Sequence, residues 1–312
     1  MYIVKNYHAE DSKMWNNFVH ESRNGTFLFD RAYMDYHSDR FEDYSLMVFD
    51  SKENLVALLP GNIKEEKYFT HQGLTYGGIL VLAQTGIIEF IAIAEAVHQH
   101  LKSKGISSLV YKKTPYIYGT QATDEDLYML FRKQAKQIAC NISSCIEMSV
   151  PFKLHRSRKS AISKAKKQGL ELHKNKFWSE FWNILSNNLH QKYDTQPVHS
   201  LSEIQKLHAD FPNNIHLFTA SKNQECLGGI VIYESKNVAH AQYISLNEKG
   251  KELCALDFIL EHLLQHEYKH KKYFDLGSST ELNGLLLNEG LVFQKEGYGA
   301  RGVCYQIYEY DL

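Results

Sequence analysis

The chain has 312 residues with 35 basic and 36 acidic side chains, so its balanced charge points to no polyanionic partner, and 44% hydrophobic content with 20 Tyr and 16 Phe is ample for packed cores. Its five cysteines, Cys140, Cys145, Cys226, Cys254 and Cys304, are scattered and contain no CxxC, which argues against a disulfide frame or zinc knuckle and for a reducing, cytoplasmic setting. The N-terminal MYIVKNYHAEDSK lacks the apolar core of a signal peptide, and the greasiest run, residues 77–97, is interrupted by Gln84, Thr85, Gly86, Glu89 and Glu95, so no membrane span is expected.

Two stretches, 45–74 and 216–245, lie over each other without a gap. Each reads as a strand, a polar turn (SKEN, SKNQ), a second strand, a charged turn (KEEK, ESKN) and a third strand. An amphipathic helix follows each. Ile87, Ile91, Ala94 and Leu101 form one apolar stripe, and Leu253, Leu256, Leu260, Leu263 and Leu264 the other. Further strands are expected at 107–113 and 271–277. This β-β-β-α-β order predicts an α+β chain of two tandem units, 1–150 and 151–312, split near Pro151. One irregular domain is the alternative.

Ahead of the second copy, HRSRKSAISKAKKQGLELHK (155–174) reads as a basic helix capped by Gly169 and running into a strand. Residues 176–193 form a helix with Phe177, Phe181, Leu185 and Leu189 on one face, followed by a polar loop, DTQPVH (194–199). Ser200 and Glu203 make a capping box for a helix that stops before Pro212. Near the C-terminus, GYGARG (297–302) matches the GxGxxG dinucleotide fingerprint. The tail after it, ending YQIYEYDL, reads as a strand and leaves no room for a βαβ unit, so no NAD or FAD site is expected. Its glycines are assigned to a tight hairpin or bulge between a strand carrying Lys295 and the terminal strand.

The order of elements in the second half resembles the GNAT acyltransferase fold. The words RSRKSAISKAKKQGLEL, KYDTQPVHS, AQYIS, KYFDLGSSTELNG and LNEGLVFQKEGYGARG resemble the Fem-type branch, the FemAB-like peptidoglycan-bridge aminoacyltransferases, which also carries two GNAT-like units in tandem. That resemblance implies two mixed, mostly antiparallel sheets flanked by helices. It implies an acyl- or aminoacyltransferase forming an amide on an amine acceptor, a cell-envelope precursor or amino sugar, held in a cleft between the units. No tightly bound cofactor is expected, and acyl-CoA (acetyl-CoA) or aminoacyl-tRNA is the expected co-substrate. Two departures stand out. The loop that would cradle the CoA pyrophosphate, SLNEKGKEL (245–253), has the single glycine Gly250, and no coiled-coil insertion separates the helices of the second half. A catalytically degenerate GNAT-like protein that binds a ligand or partner is therefore the second reading, and an RNA-binding module the third.

Placed on that fold, AQYIS (241–245) and YFDLGSST (273–280) wall the gap that holds the acyl group, bringing Gln242, Tyr243, Asp275, Ser278, Ser279, Thr280 and Glu281 to its mouth. The resemblance makes Glu281 the expected base, His199 the second candidate, and Lys295 the cation that stabilises charge on the donor or the tetrahedral intermediate. The bland alternatives are a helix-terminal acid, a surface histidine and an exposed edge-strand lysine. Arg158, Tyr193, Tyr298 and Arg301 are expected to bind substrate. So are His71 and Tyr76 of the first unit, beside Phe27, Phe29 and Tyr33. The basic helix, with Arg156, Arg158, Lys159, Lys164, Lys166 and Lys167, reads as a phosphate patch or a solvated face, and it lacks aromatics for base stacking. His262, His266 and His270 fall at helical spacing without a third ligand word, so no metal is expected.

Overall fold

The computed structural model describes residues 2–312, all but His37 with their side chains. In the first half, β1 (Ile3–Asn6), α1 (Ser12–Glu21) and α2 (Arg31–Met34) precede the hairpin β2 (Leu46–Phe49) and β3 (Leu55–Leu59). Then come β4 (Asn62–Lys64), β5 (Lys67–Phe69), β6 (Leu80–Val81), α3 (Ile87–Ser103), β7 (Ser108–Lys112), α4 (Glu125–Arg132) and β8 (Lys136–Glu147). The second half continues with α5 (Arg156–Lys166), β9 (Glu171–Lys174), α6 (Trp178–Tyr193), α7 (Leu201–Asp210), β10 (Ile215–Lys222), β11 (Glu225–Glu234) and β12 (Val238–Leu246). It closes with α8 (Glu248–Glu252), α9 (Ala255–His262), β13 (Tyr273–Ser278), β14 (Thr280–Glu281), β15 (Leu286–Leu287), α10 (Glu289–Glu296) and β16 (Arg301–Asp311).

These elements form two compact units. Unit 1 comprises Met1–Ile142, Thr280–Leu286 and Val303–Leu312, and unit 2 comprises Ser143–Ser279 and Leu287–Gly302. The boundary expected near Pro151 thus falls at Ser143, and the terminal strand belongs with unit 1. Backbone pairing is the reason: β16 runs antiparallel to β7 from Ile307↔Lys112 to Asp311↔Ser108.

In unit 1, β1, β2, β3 and β6 make an antiparallel sheet. The gapless repeat expected from the sequence holds for the β2–β3 hairpin and then breaks. Pro60 cannot donate to a ladder, and the KEEK turn closes the β4–β5 hairpin, which pairs in parallel with β7. The strand added to β3 is instead β6. On α3 the buried face is Phe90, Ile93, Ala94, Val97 and Leu101, rotated from the expected stripe, and Ile87 is exposed.

His98 lies on that buried face, with Nε2 2.8 Å from the Tyr310 hydroxyl and Nδ1 3.6 Å from Glu95. Burial, reinforced by Lys133 and opposed by Glu95, pushes its pKa down to about 4. A histidine depressed in the folded state contributes stability that is full above its unfolded pKa of 6.5 and is lost as pH falls towards about 4. Wild-type protein should therefore lose up to about 3 kcal/mol more than His98→Gln between pH ~7.5 and pH ~4.5, measured by urea denaturation. Equal losses would place the acid sensitivity elsewhere.

Unit 2 is built on the antiparallel pair β9–β10, whose strands are separated by α6 and α7, and on the hairpins β10–β11 and β11–β12, followed by β13 parallel to β12 and the end of β8 antiparallel to β13. Alternation along the strands divides its two faces. One face, with Phe218, Ile230, Ile232, Ala239, Ala241 and Phe274, is buried against Leu256, Ile259, Leu260 and Leu263 of α9 and the turn after it. On the other, α6 packs on β11 and β12, with Phe181 against Gly229. The expected capping box is present: Ser200 accepts from the Glu203 N–H and Glu203 from the Ser200 N–H, at 3.3 and 2.6 Å. Gly169 ends the basic segment at φ +65°, as expected of a left-handed cap.

Candidate active site

β12 and β13 pair only at Val238↔Tyr273, Ala239↔Phe274 and His240↔Asp275. Beyond this point each runs on without the other, β12 to Leu246 and β13 to Ser278. Each also carries an irregularity just there. Val231 pairs with Tyr243 and Ile232 with Ala241, which leaves Gln242 as a bulge in β12. The register of β13 against β8 shifts between Asp275 and Ser278. Bulges bend strands and end pairing, so the sequence itself parts these two edges.

The side chains beside the parting form one connected set in unit 2. Asp275, fully buried, accepts hydrogen bonds from Ser143 Oγ, from the Gly277 N–H at 3.0 Å and from His240 Nδ1 at 3.0 Å. A carboxylate only accepts, so Nδ1 carries a proton, and in the neutral form of the imidazole the lone pair is on Nε2. Among the described residues nothing hydrogen-bonds His240 Nε2.

Lys295 is buried at 7% exposure, and its Nζ donates to Gly277 O at 2.7 Å, Ser278 O at 2.8 Å and Ser279 Oγ at 3.0 Å. These three acceptors match the three N–H bonds of an ammonium. Burial lowers its pKa to about 8, and the nearby Asp275 opposes that fall. The residue sits on α10 rather than on the expected strand. Asn288 caps that helix, its Oδ1 accepting from the Leu291 N–H at 3.0 Å, and the bulky run LVF turns with it.

Tyr243 and His199 also meet: the tyrosine hydroxyl lies 2.7 Å from His199 Nδ1, and Trp182 Nε1 donates to His199 O at 3.2 Å. Trp182 stands edge-on to the Tyr243 ring at 5.4 Å. Burial pushes the Tyr243 hydroxyl up to about 12. His199, 4% exposed, is thus a buried partner of β12 and not a surface histidine.

Other expected site residues lie elsewhere. Glu281 is exposed on β14 and Thr280 donates to Asn141 Oδ1 at 3.0 Å, both within unit 1. The bland alternative for Glu281, an acid opening a helix, reduces to a single 3₁₀ turn with Leu282 and Asn283 left-handed. Arg158 is committed to Asp257 at 3.2 Å, while Tyr298 donates to the same carboxylate at 2.8 Å. Burial raises the pKa of that acid, and the cluster ties α5, α9 and the turn after α10. Arg158 and Tyr298 therefore belong to packing. On α5, Lys164 and Lys166 bind Glu252 O and Glu261, which leaves Arg156, Lys159 and Lys167 without ion pairs among the described residues. Tyr193 is 56% exposed at the end of α6, and Arg301 is exposed with Nη1 on Ala300 O. In unit 1, His71 packs edge-on against Phe41, and Tyr76 donates to Thr26 and stacks on Tyr118. Both are buried core, as are Phe29 and Tyr33.

The GYGARG segment joins helix α10 to β16, not strand to strand. Gly297 caps the helix with ordinary φ, whereas Gly299 has φ +94° and a Cβ there would lie 2.9 Å from Phe152 Cβ. In the 245–253 loop, Asn247 Oδ1 takes the Gly250 N–H at 2.7 Å, and a Cβ on Gly250 would stand 2.3 Å from Leu227 O. Gly250 thus serves close packing on β11, and the third N–H of that turn, its own, is already satisfied. The rings of His262 and His266 lie 5.3 Å apart, and among the described residues no three His, Cys, Asp or Glu side chains cluster.

Sequence reading missed His240. It directly precedes the AQYIS word, but only the strand register sets it opposite Asp275.

No family model matches this sequence, nor does any curated protein. Solved structures do resemble the fold. FemX matches with a TM-score of 0.70 and 10% identity, over 99% of this chain and 97% of that one. L-PGS from Bacillus licheniformis matches at 0.59 and 11% identity over 96% and 91%. A tandem GNAT protein from the clavulanic acid biosynthesis pathway matches at 0.55 and 9% identity over 100% and 98%. The shared feature is the fold: this chain has a Fem-type, tandem GNAT α+β architecture.

Proposed function

We propose that this chain moves an acyl or aminoacyl group onto an amine, at the parted edges of β12 and β13. One observation carries the reading: the buried ammonium of Lys295 is fixed on the last peptides of β13, beside strands that have stopped pairing. A donor carbonyl laid against that edge develops negative charge on oxygen as an amine attacks. A preorganised cation in a water-poor site stabilises that charge. The likeness to FemX and to a tandem GNAT protein supports transfer chemistry on this fold.

The Asn247 cap weighs on the choice of donor. It occupies backbone N–H capacity that a CoA pyrophosphate would use, which favours an aminoacyl ester over acyl-CoA. The acceptor is an amine on a cell-envelope precursor or amino sugar, an assignment that rests on the Fem-type resemblance. A second reading, a GNAT-like protein that binds without transferring, draws on the same capped turn. A thermal-shift screen with acetyl-CoA, nucleotide sugars and an unhydrolysable aminoacyl-adenosine separates them. Stabilisation by the aminoacyl-adenosine supports transfer from an aminoacyl ester, stabilisation by acetyl-CoA overturns that choice of donor, and a response to nucleotide sugars alone favours the binding reading.

A further inference from the structure

We infer that His240 is the general base of this transfer and that Asp275 is its positioning residue; the assignment rests on the transferase reading above. Three observations converge. The imidazole is oriented by a fully buried carboxylate that is itself held by Ser143 and the Gly277 N–H. Its Nε2 is left open, with the side chain 15% exposed. It also stands at the last shared pair of β12 and β13, where the edges part. A Cβ placed on Gly277 would lie 3.9 Å from His240 Cε1, and Gly277 O accepts from Lys295. His240 and Lys295 thus both neighbour Gly277. A purely structural strand tie needs only Nδ1, and here Nε2 is left without a hydrogen-bond partner among the described residues.

The step balances without an added reagent. The acceptor amine nitrogen forms a bond to the donor carbonyl carbon, whose π electrons move to oxygen beside Lys295. Nε2 takes the proton that nitrogen must lose. When the carbonyl re-forms, the bond to the ester oxygen or thioester sulfur breaks with its electron pair. The imidazolium returns the proton to that leaving atom, giving amide and alcohol or thiol with His240 neutral again.

The test pairs His240→Asn, whose amide keeps the hydrogen bond to Asp275, with His240→Ala. With the donor and acceptor that wild type uses, H240N should lose about 10²–10⁴-fold in kcat at unchanged Tm, and free imidazole should restore at least about tenfold to H240A. Wild-type turnover in H240N, or no rescue of H240A, overturns the assignment. A ¹⁵N NMR measurement of the imidazole separates this from failure of the transferase reading. It should show Nε2 unprotonated in wild type whether or not any substrate pair turns over, and a protonated Nε2 overturns the inference directly.

Discussion

On the proposed reading, replacing Lys295 with methionine should reduce transfer by about 10²–10³-fold while leaving the fold intact: its three N–H bonds are held by protein acceptors, and its fixed charge beside the developing oxyanion supplies about 3–4 kcal/mol through its field. The expectation of an intact fold follows from opposing terms. Burial holds this lysine at about 8, below its ordinary 10.5, so keeping the ammonium charged in place costs about 3 kcal/mol at neutral pH. Methionine removes that cost but leaves Gly277 O and Ser278 O without their donor, at about 1–3 kcal/mol each. The two roughly cancel. Linkage gives a second readout. For a lysine depressed in the folded state, stability rises with pH between the folded value of about 8 and the unfolded 10.5, so wild type should gain on K295M across that window. Wild-type kcat/KM should fall over the same window as the cation is lost. A flat profile through pH ~10 would remove Lys295 from the chemistry.

The second large effect concerns Gly228→Val, expected to destabilise unit 2 by more than about 4 kcal/mol and to abolish cooperative unfolding of that unit. Gly228 sits in β11 at φ +131°, where a β-branched residue is strongly disfavoured. A Cβ there would lie 2.3 Å from Ser245 O and 2.6 Å from Leu246 Cα. Both are backbone atoms of β12, so the strand that bears His240 and Tyr243 would have to leave its partner. Gly86→Ser is the contrasting case. Nothing stands within 4 Å of a Cβ at Gly86, which precedes α3, and serine is a better N-cap. Its effect should stay within about 1 kcal/mol, read as Cm in urea.

Much of the order of elements was legible because the signals are local. The Ser200–Glu203 capping box and the polar turns of the hairpins are each settled by neighbours within a turn, whereas the buried face of α6 is Trp178, Phe181, Trp182 and Leu185, shifted from the expected Phe177, Phe181, Leu185 and Leu189. What escaped depends on pairing between distant segments. Nothing local in the stretch 45–74 says that β6 rather than 68–74 will complete the sheet beside β3. Leu291, Val292 and Phe293 read as a strand from their bulk, and the Asn288 cap decides for helix. The word around Lys295 reads as a strand, whereas the residue lies on α10. Read from sequence, Glu281 is drawn to the gap by the turn-forming Gly-Ser-Ser-Thr before it, whereas the chain carries it out to an exposed place on β14. His240 became visible only through its register with Asp275, and the bulge at Gln242 only through the pairing of Val231 with Tyr243.

The most direct measurement is amide formation by mass spectrometry. Wild type and K295M would each be incubated with alanyl-tRNA or acetyl-CoA as donor, and with a peptidoglycan-precursor peptide bearing a free lysine amine or glucosamine as acceptor. The account predicts that wild type adds the donor's acyl or aminoacyl group to the amine and that K295M, equally folded, forms about a hundredth as much or less. No amide from any pair with wild type, or equal amide from K295M, would contradict it.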